Sequence, residues 1–365
     1  MNENLYCIIM AGGVGSRFWP MSRNSRPKQF LDVLGIGKTF IQSTFDRFAK
    51  VVPAENILVV TSLQYRELVK EQLPQMKDEN ILLEPHKRNT APCIAYATYK
   101  LYKKNPDATV VVTPSDHLIT DESVFEETIR SGLEEAALTD GLYTIGVTPT
   151  SPNTNYGYIQ VNKGNKVEFN GHDVFPVKTF TEKPDLETAK IFLETGEFFW
   201  NSGMFIWSLK SIKRELELCL PEISKLFAGG EPFYYTDEEE KFIADAYEDC
   251  QSISIDYGVM EKTQNAWVAI AKFGWSDVGT WSSIFELSPS RDENDNIIKE
   301  ATVMLDGVEK SVIKGYDKDK LIVLRGLKNY MVVDTKDVLM ICPKDDKVVK
   351  QIVSDLVVKE KSKYL

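Results

Sequence analysis

The chain has few histidines and no cysteine pattern of the kind that holds a metal. Its 365 residues include three histidines, His86, His117 and His172, which form neither an H-x-H nor an H-E-x-x-H pattern. A histidine-built zinc or iron centre is therefore not expected. The five cysteines are scattered and odd in number, without C-x-x-C spacing, which indicates reduced thiols and a cytoplasmic protein.

Long apolar runs, internal repeats and an excess of basic residues are also missing. No run approaches membrane-spanning length and residues 1–4 lack the basic segment of an export signal, so no membrane is expected as a partner. Asp and Glu outnumber Lys and Arg by 54 to 43, a net charge of −11, which argues against a nucleic-acid partner. With 43% hydrophobic residues, the chain is long enough for one large core and a smaller second one.

Short β-rich runs alternate with amphipathic helical stretches up to about Phe285. This alternation predicts an α/β fold with a Rossmann-like, mostly parallel mixed sheet flanked by helices, and a ligand crevice at the carboxyl ends of the strands. The strand candidates are residues 6–10, 57–61, 81–84, 109–113, 143–147, 178–182, 204–207 and 267–272. The helix candidates are residues 40–49, 64–73, 91–103, 124–138, 186–194, 209–218 and 238–247.

A polar stretch, residues 288–296, ends this pattern. Short alternating β segments follow it, and apolar residues at helical spacing occupy 348–356. The sequence therefore predicts two domains, residues 1–287 and a small β-rich domain with a terminal helix at 296–365. Short strands leave edges that proteins usually pair or cover, so this domain is expected to serve assembly, with a homodimer as one form, or to cover an edge of the main sheet.

The most informative stretch is the glycine-rich loop, residues 11–28, which directly follows the first strand candidate. Glycines let backbone N–H groups approach phosphate oxygens, and the loop adds the cations Arg17, Arg23, Arg26 and Lys28. It lacks the third glycine of a dinucleotide fingerprint and the Gly-Lys-Ser/Thr of a P-loop, which argues against a nicotinamide oxidoreductase. A lone Gly-x-Gly would be an ordinary surface turn, but this concentration of glycines and cations favours phosphate binding.

Two aspartates lie just past strand candidates. Asp116 comes after residues 109–113 and Asp277 after residues 267–272. Carboxylates at the carboxyl end of a sheet suit Mg²⁺, which takes hard oxygen ligands and completes its shell with phosphates and water. Either aspartate alone could instead be a helix N-cap; beside a phosphate-binding loop, the pair favours a magnesium site.

Four further segments carry weaker signals. Glu182 and Lys183 end a strand candidate and offer an acid for sugar hydroxyls and a cation for a phosphate. Asn201 offers an amide near a glycine, just before the strand candidate 204–207, although a plain turn would look the same. Gly157 and the segment 84–92 could equally be plain turns, and within that segment Asn89 or Thr90 could cap the following helix.

Eight motifs in order resemble those of the sugar-phosphate nucleotidylyltransferases, across nearly all of residues 5–285. They occupy residues 11–28, 84–92, 113–117, 155–159, 180–185, 200–207, 254–262 and 275–281. Residues 18–20, 27–31, 88–92 and 200–205 resemble the mannose/guanine branch of that family. The carboxyl tail resembles, less closely, the short β-helical domain of its single-function members.

The resemblance implies the nucleotide-diphospho-sugar transferase fold and transfer of GMP from GTP to α-D-mannose 1-phosphate, which yields GDP-mannose and pyrophosphate. It places Arg17 and Lys28 against the triphosphate and Lys183 on the sugar phosphate. Mg²⁺ is implied between Asp116, Asp277 and phosphate oxygens.

The same resemblance implies the remaining binding residues. For the nucleotide they are Ala11, Gly12, Gly13, Gly15, Ser16, Pro85, Asn89 and Thr90, and for the sugar Gly157, Glu182 and Asn201. Many relatives add an isomerase domain built around metal-binding histidines, and no histidine follows His172, so that second activity is not expected. The alternatives are a family member with another sugar or base, and a non-catalytic homologue that binds the nucleotide sugar for regulation.

Overall fold

The computed structural model describes residues 2–288 and 290–365. Met1, in the predicted 1–287 domain, and Pro289, in the predicted polar break, lie outside the described residues. The chain packs as two compact units: the first contains the chain up to Gly12 and Ile41–Trp275, and the second contains Gly13–Phe40 and Ser276–Leu365. This division places residues 13–40 with the C-terminal strands, whereas the boundaries at 287 and 296 stay a prediction.

The first unit contains most of the predicted strands and helices, usually extended by one or two residues. Its strands are β1 Leu5–Met10, β2 Ile57–Ser62, β3 Ile81–Glu84, β4 Thr109–Pro114, β5 Leu118–Ile119, β6 Leu142–Val147, β7 Gly157–Val161, β8 Val167–Phe169, β9 His172–Glu182, β10 Phe198–Ser208, β11 Ala266–Ala271 and β12 Trp275–Ser276. Its helices are α1 Phe40–Phe48, α2 Arg66–Gln72, α3 Thr90–Lys104, α4 Glu122–Leu138, α5 Leu186–Thr195, α6 Leu209–Cys219, α7 Pro221–Ala228 and α8 Glu239–Asp249.

A ten-stranded mixed sheet forms the centre of this unit, in the order β3-β2-β1-β4-β10-β6-β11-β9-β7, with β8 beside β9. The pairs within β3-β2-β1-β4 and the β6–β11 pair are parallel. Strand β10 runs antiparallel between β4 and β6, and β7, β8 and β9 pair antiparallel. The α/β fold is confirmed, and among the described strands of this ten-stranded sheet the parallel pairs belong to these two groups.

The middle of β4 is buried on both faces of the sheet. Val110 and Val112 join one core with residues of α3, and the alternate residue Val111 is equally buried. Helix α3 packs on β1 and β2, and α4 packs on β4, β6, β10 and β11. Burial of each such side chain contributes roughly 1.5–3 kcal/mol to the stability of the folded chain.

Local signals in the sequence set several helix ends. Asp121 caps α4 by accepting from the Val124 N–H, and Asp185 caps α5 by accepting from the Thr188 N–H. Pro221 begins α7 at its first turn, where a missing N–H costs nothing. Within the described residues, no helix has the length and apolar character needed to cross a membrane.

The second unit contains short strands and two helices besides residues 13–40. They are α9 Trp281–Leu287, β13 Ile297–Lys299, β14 Thr302–Asp306, β15 Val312–Lys314, β16 Leu321–Arg325, β17 Tyr330–Asp334, β18 Leu339–Pro343 and α10 Asp346–Val358. The strands form two sheets, β13-β15-β17-β18 and β14-β16, whose pairs are parallel except for the antiparallel β17–β18 pair. The predicted β-rich C-terminal region with its terminal helix is confirmed.

Candidate functional site

The glycine-rich loop folds back on itself within the second unit. Gly15 has φ +69°, and a Cβ there would lie 2.6 Å from Lys28 Cβ, so only glycine fits. The Lys28 N–H donates to the Val14 carbonyl (3.3 Å). A Cβ at Gly13 would meet no atom within 4 Å, and Ser16 is exposed. One side of the loop is therefore open.

Two predicted phosphate-binding cations in this loop differ in their surroundings. Lys28 is only 2% exposed, and its ammonium donates to the Asp277 carbonyl (2.7 Å) beside the rings of Phe18 and Phe40. Arg17 is partly exposed, and its guanidinium has no hydrogen-bond or ion-pair partner among residues 2–288 and 290–365. Lys28 thus joins two of the predicted motifs, and that Arg17 and Lys28 meet a triphosphate stays a prediction.

Ala11 and Gly12 lie where β1 ends in the first unit. The Ala11 N–H donates to the Val60 carbonyl (2.7 Å), and the Ala11 carbonyl accepts from Thr61 Oγ1 (2.8 Å). These contacts hold Ala11 in the sheet. A Cβ at Gly12 would lie 3.2 Å from Glu84 Oε2, so the Gly12 backbone lies next to this carboxylate. Nucleotide binding by Ala11 and Gly12 stays a prediction.

Glu84 is a buried carboxylate to which the sequence analysis gave no role of its own. It ends β3, and its Oε1 accepts from the Tyr247 hydroxyl (3.0 Å). Burial raises the pKa of Glu84 to about 7, against the lowering effect of that hydrogen bond. A carboxylate at the end of an otherwise apolar strand candidate, Ile81–Glu84, was the signal that could have singled it out.

We expect Glu84 to make stability depend on pH. The pKa of Glu84 in the folded chain lies above its ordinary value of 4.5. The stability that the protonated carboxyl contributes is therefore complete below about pH 4.5 and is lost as pH rises through about 7. Glu84→Gln keeps the acceptor without the charge. Its free energy of unfolding, compared with that of the original chain, should therefore rise by up to about 3 kcal/mol between about pH 5 and about pH 8.

Denaturant unfolding at several pH values measures this difference. Glu55→Gln, at an exposed position of the same unit, is the control and should show no such trend. A difference for Glu84→Gln that is constant with pH would contradict the prediction.

The predicted base-binding segment makes structural contacts at the start of α3. Asn89 has φ +68° and caps the helix by accepting from the Thr90 N–H (2.9 Å). Thr90 Oγ1 accepts from the Ile255 N–H (2.9 Å). The capping alternative therefore describes what Asn89 does, and nucleotide binding by these two residues stays a prediction.

Pro85 lines a cavity of about 490 Å³ in the first unit. Apolar residues of β3 and a buried ion pair between Lys100 and Glu239 (2.7 Å) form much of its wall. Of the other predicted site residues, all of them within the described chain, none lines this cavity. The cavity is therefore not lined by the residues predicted to hold the sugar.

Five polar or small residues meet in the first unit at the predicted sugar site. Gly157 pairs in register with Glu182, and a Cβ there would lie 2.5 Å from Glu182 Oε2 and 3.4 Å from Asn201 Cβ. Lys183 Nζ contacts Glu182 Oε1. Asn201 Nδ2 donates to Asp256 Oδ1 (2.7 Å). The structure thus brings together all three predicted sugar-binding residues and the predicted phosphate-binding lysine.

Asn201 lies inside β10, not in a turn before a strand as the shorter candidate 204–207 suggested. The pairing of β10 with β6 shifts between Asn201 and Phe205, and Gly203 has φ +71°. Asn201 Oδ1 accepts from the Gly203 N–H (3.0 Å). This irregularity is typical of β-bulges, which re-aim side chains beside functional sites.

Asp256 is a further site residue that the sequence analysis missed. It begins a single π-helical turn, Asp256–Met260. This turn lies in the motif 254–262, to which the sequence assigned no binding or catalytic role. Burial raises the pKa of Asp256, the charge of Glu182 adds to this, and the Asn201 hydrogen bond opposes it. Two neighbouring carboxylates and one lysine give this cluster acceptors for hydroxyl groups and a cation for a phosphate.

Asp116 follows β4 in the first unit. The preceding Ser115 N–H donates to the Met10 carbonyl (3.1 Å), which ties this segment to the end of β1. Next to Asp116, His117 Nδ1 accepts from the Trp275 indole N–H (3.1 Å). The residue beside Asp116 is therefore attached to Trp275, the last residue of the first unit.

Asp277 lies in the second unit, where its Oδ1 accepts from the Gly279 N–H (2.9 Å). Within the described chain, no group of three or more His, Cys, Asp or Glu side chains could hold a metal. Carboxylate oxygens of Asp116 and Asp277 have the chemistry that Mg²⁺ prefers, but they would need phosphates and water to complete its shell. Asp116 belongs to the first unit. Shared binding of Mg²⁺ by the two aspartates stays a prediction.

A comparison with protein families decides the relationship. Residues 6–294 match the model of the nucleotidyl transferase family. The chain belongs to this family. The resemblance found in the eight motifs is thereby confirmed.

Curated members of the family are similar over nearly the whole chain. The mannose-1-phosphate guanylyltransferase RfbM of Salmonella typhimurium is 38% identical over 98% of this chain and 73% of its own length. The mannose-1-phosphate guanylyltransferase of Escherichia coli K12 is 38% identical over 97% of this chain and 74% of its own length.

Solved structures show the same fold. A Thermus thermophilus protein described as mannose-1-phosphate geranyltransferase has a TM-score of 0.84 at 28% identity and covers 97% of this chain and 99% of its own. A Helicobacter pylori protein described as mannose-6-phosphate isomerase has a TM-score of 0.58 at 27% identity, over 74% of this chain and 99% of its own. The first likeness includes the C-terminal strands, since it spans nearly the whole chain.

Proposed function

We propose that this chain transfers GMP from GTP to α-D-mannose 1-phosphate and releases GDP-mannose and pyrophosphate. The observation that carries the proposal is the 38% identity over 98% of the chain to a mannose-1-phosphate guanylyltransferase. A relationship of that extent includes every motif of the candidate site.

The cluster around Asn201 supports a sugar phosphate as one substrate. Glu182 and Asp256 can accept hydrogen bonds from sugar hydroxyls, and Asn201 is fixed by Asp256 and by its own strand. The Lys183 side chain is 60% exposed, so its ammonium can leave Glu182 to meet a phosphate. Gly157 leaves room beside the Glu182 carboxylate, because a side chain there would collide with it.

The attacking group needs no base from the protein. A sugar phosphate loses its second proton with a pKa of about 6, so its oxygen is already an ionised nucleophile at neutral pH. The protein's task is to align this oxygen with the α-phosphorus, opposite the leaving pyrophosphate, and to offset the negative charge. In this proposal Arg17 and Lys28 lie against the triphosphate, and Lys183 holds the sugar phosphate.

Asp116 and Asp277 are the residues proposed to hold Mg²⁺. Bound there with phosphate oxygens, the ion would supply charge neutralisation for two anionic substrates. Their carboxylate oxygens would be the protein ligands of the ion.

GTP radiolabelled at the α-phosphorus tests the proposal. With mannose 1-phosphate, the label should appear in GDP-mannose, together with an equal amount of pyrophosphate. Binding of GDP-mannose without turnover would instead identify the regulatory homologue, and turnover with another sugar or base would identify a different member of the family.

The chain is not expected to interconvert mannose 6-phosphate and fructose 6-phosphate. The isomerase domains of relatives are built around metal-binding histidines, and this sequence has no histidine after His172. Incubation of the purified protein with mannose 6-phosphate and divalent metals should yield no fructose 6-phosphate. Sustained isomerisation that copurifies with the chain would contradict this expectation.

A homodimer and a cytoplasmic location belong to the same proposal. Short strand edges in the second unit motivate the first, and five free cysteines motivate the second. Sedimentation of the purified protein measures the oligomeric state.

A further inference from the structure

Arg23 of the glycine-rich loop is bound by the C-terminal strands. Its two terminal nitrogens donate to the two carboxylate oxygens of Asp337, at 3.2 and 2.8 Å. Its Nη2 also lies 3.5 Å from Thr335 Oγ1. Asp337 lies in the connection between β17 and β18, and this paired, planar contact uses the fork geometry that distinguishes arginine from lysine. The Arg23 side chain is only 13% exposed.

The same guanidinium fixes the backbone of the loop. Arg23 Nε donates to the Pro20 carbonyl (2.8 Å). Arg23 and Arg26 exchange backbone hydrogen bonds of 3.2 and 3.1 Å, which close a tight turn. One side chain therefore joins the β17–β18 connection to the middle of the loop, between Arg17 and Lys28.

Trp19 attaches the loop at a second point. Its indole N–H donates to the Tyr364 carbonyl (2.7 Å), and its own carbonyl accepts from the Trp281 indole N–H (3.1 Å). The ring of Phe18 lies 5.5 Å from that of Trp281. The side of the loop formed by residues 18–23 is thus bound to α9 and to the chain after α10.

These contacts divide the cations that the sequence placed together in one loop. Arg17 has no hydrogen-bond or ion-pair partner among the described residues, whereas Arg23 uses its terminal nitrogens on Asp337 and its Nε on Pro20. Arg23 is therefore an anchor of the loop. Phosphate contacts are left to residues on the open side.

We propose that Asp337 is a positioning residue for GMP transfer, acting through Arg23 to hold the glycine-rich loop in the geometry that turnover needs. The inference rests on the proposed function. It gives the C-terminal strands a part in the chemistry besides the assembly or edge-covering role expected from sequence. A displacement of about 1 Å in a positioning group can cost about 10²-fold in rate.

Turnover of Asp337→Ala tests this role. We expect kcat to fall about tenfold or more, with the KM for mannose 1-phosphate little changed, because the sugar site is built from other residues. Asp337→Glu restores a carboxylate and should recover most of the rate. Arg23→Lys keeps the charge but loses the fork, and should resemble Asp337→Ala.

Glu309→Ala is the matched control. Glu309 pairs with Lys328 at 2.9 Å in the same unit, and its side chain is 44% exposed against 49% for Asp337. Its ion-pair partner, Lys328, lies outside the glycine-rich loop. Removal of the Glu309 carboxylate should therefore leave kcat unchanged. Equal kcat values for Asp337→Ala and Glu309→Ala would overturn the proposal.

Hydrogen exchange separates this proposal from the proposed function. The amides of residues 13–28 should exchange faster in Asp337→Ala than in the original chain or in Glu309→Ala, whether or not the chain makes GDP-mannose. Failure of the original chain to transfer GMP would contradict the proposed function alone. Unchanged loop exchange in Asp337→Ala would contradict the positioning role.

Discussion

Arg17→Leu is expected to lower turnover by ~10²–10³-fold, the usual loss when one preorganised stabilising donor is removed from a charged transition state. Arg17 is the loop cation without a hydrogen-bond or ion-pair partner among the described residues, so its removal breaks no such contact. The midpoint of thermal unfolding should therefore stay unchanged. The measurement is kcat from pyrophosphate release, with a melting curve for each variant.

Arg325→Leu controls for the loss of a positive charge. Arg325 lies in the same unit, its side chain is 75% exposed, and it pairs with Asp306 at 3.3 Å. Its turnover should equal that of the original chain. If Arg17→Leu also turned over normally, Arg17 would not meet the triphosphate. Lys28→Met is a less specific test, because the Lys28 ammonium also binds the Asp277 carbonyl.

Asp116→Asn and Asp277→Asn should each lower turnover by a similar ~10²–10³-fold. An amide keeps one oxygen donor but loses the formal charge that holds a hard cation. The reduced rate should therefore rise again as the magnesium concentration is increased. This rescue distinguishes an aspartate that binds the metal from one with a structural role. Turnover against magnesium concentration, alongside thermal unfolding, measures both effects.

Asp121→Ala shows how a structural aspartate behaves. Asp121 caps α4 through the Val124 N–H, so its loss should cost about 0.5–2 kcal/mol of stability with turnover and magnesium dependence unchanged. If Asp116→Asn and Asp277→Asn gave this pattern instead, the two residues would be caps and the magnesium site would be misplaced.

Local periodicity was enough to predict most elements of the first unit. Strand β4 and helix α3 are examples, because an uninterrupted apolar run and an amphipathic spacing each carry their own signal. The direction of a strand within the sheet leaves no such signal in the local sequence. Strand β10 enters between β4 and β6 antiparallel, and its first half was missed since Asn-Ser-Gly at residues 201–203 is typical of a turn.

Neighbouring strands bring together several residues of the candidate site that the sequence named, and their binding role stays a prediction. Gly157 and Glu182 are register partners on β7 and β9, so two weak motifs became one cluster. The partner of Lys28 could not be predicted, because the Asp277 carbonyl is 249 residues away in sequence and a carbonyl has no side-chain signature. The contact between Arg23 and Asp337 could not be predicted for the same reason, since Asp337 is 314 residues away.

Pyrophosphate release across a panel of nucleoside triphosphates and sugar 1-phosphates tests the central claim most directly. The purified chain with magnesium should release pyrophosphate with GTP and mannose 1-phosphate together, and with neither substrate alone. Other bases and other sugars should support much lower kcat/KM values. Equal or higher kcat/KM with another pair of substrates, or binding of GDP-mannose with no pyrophosphate from any pair, would contradict the account.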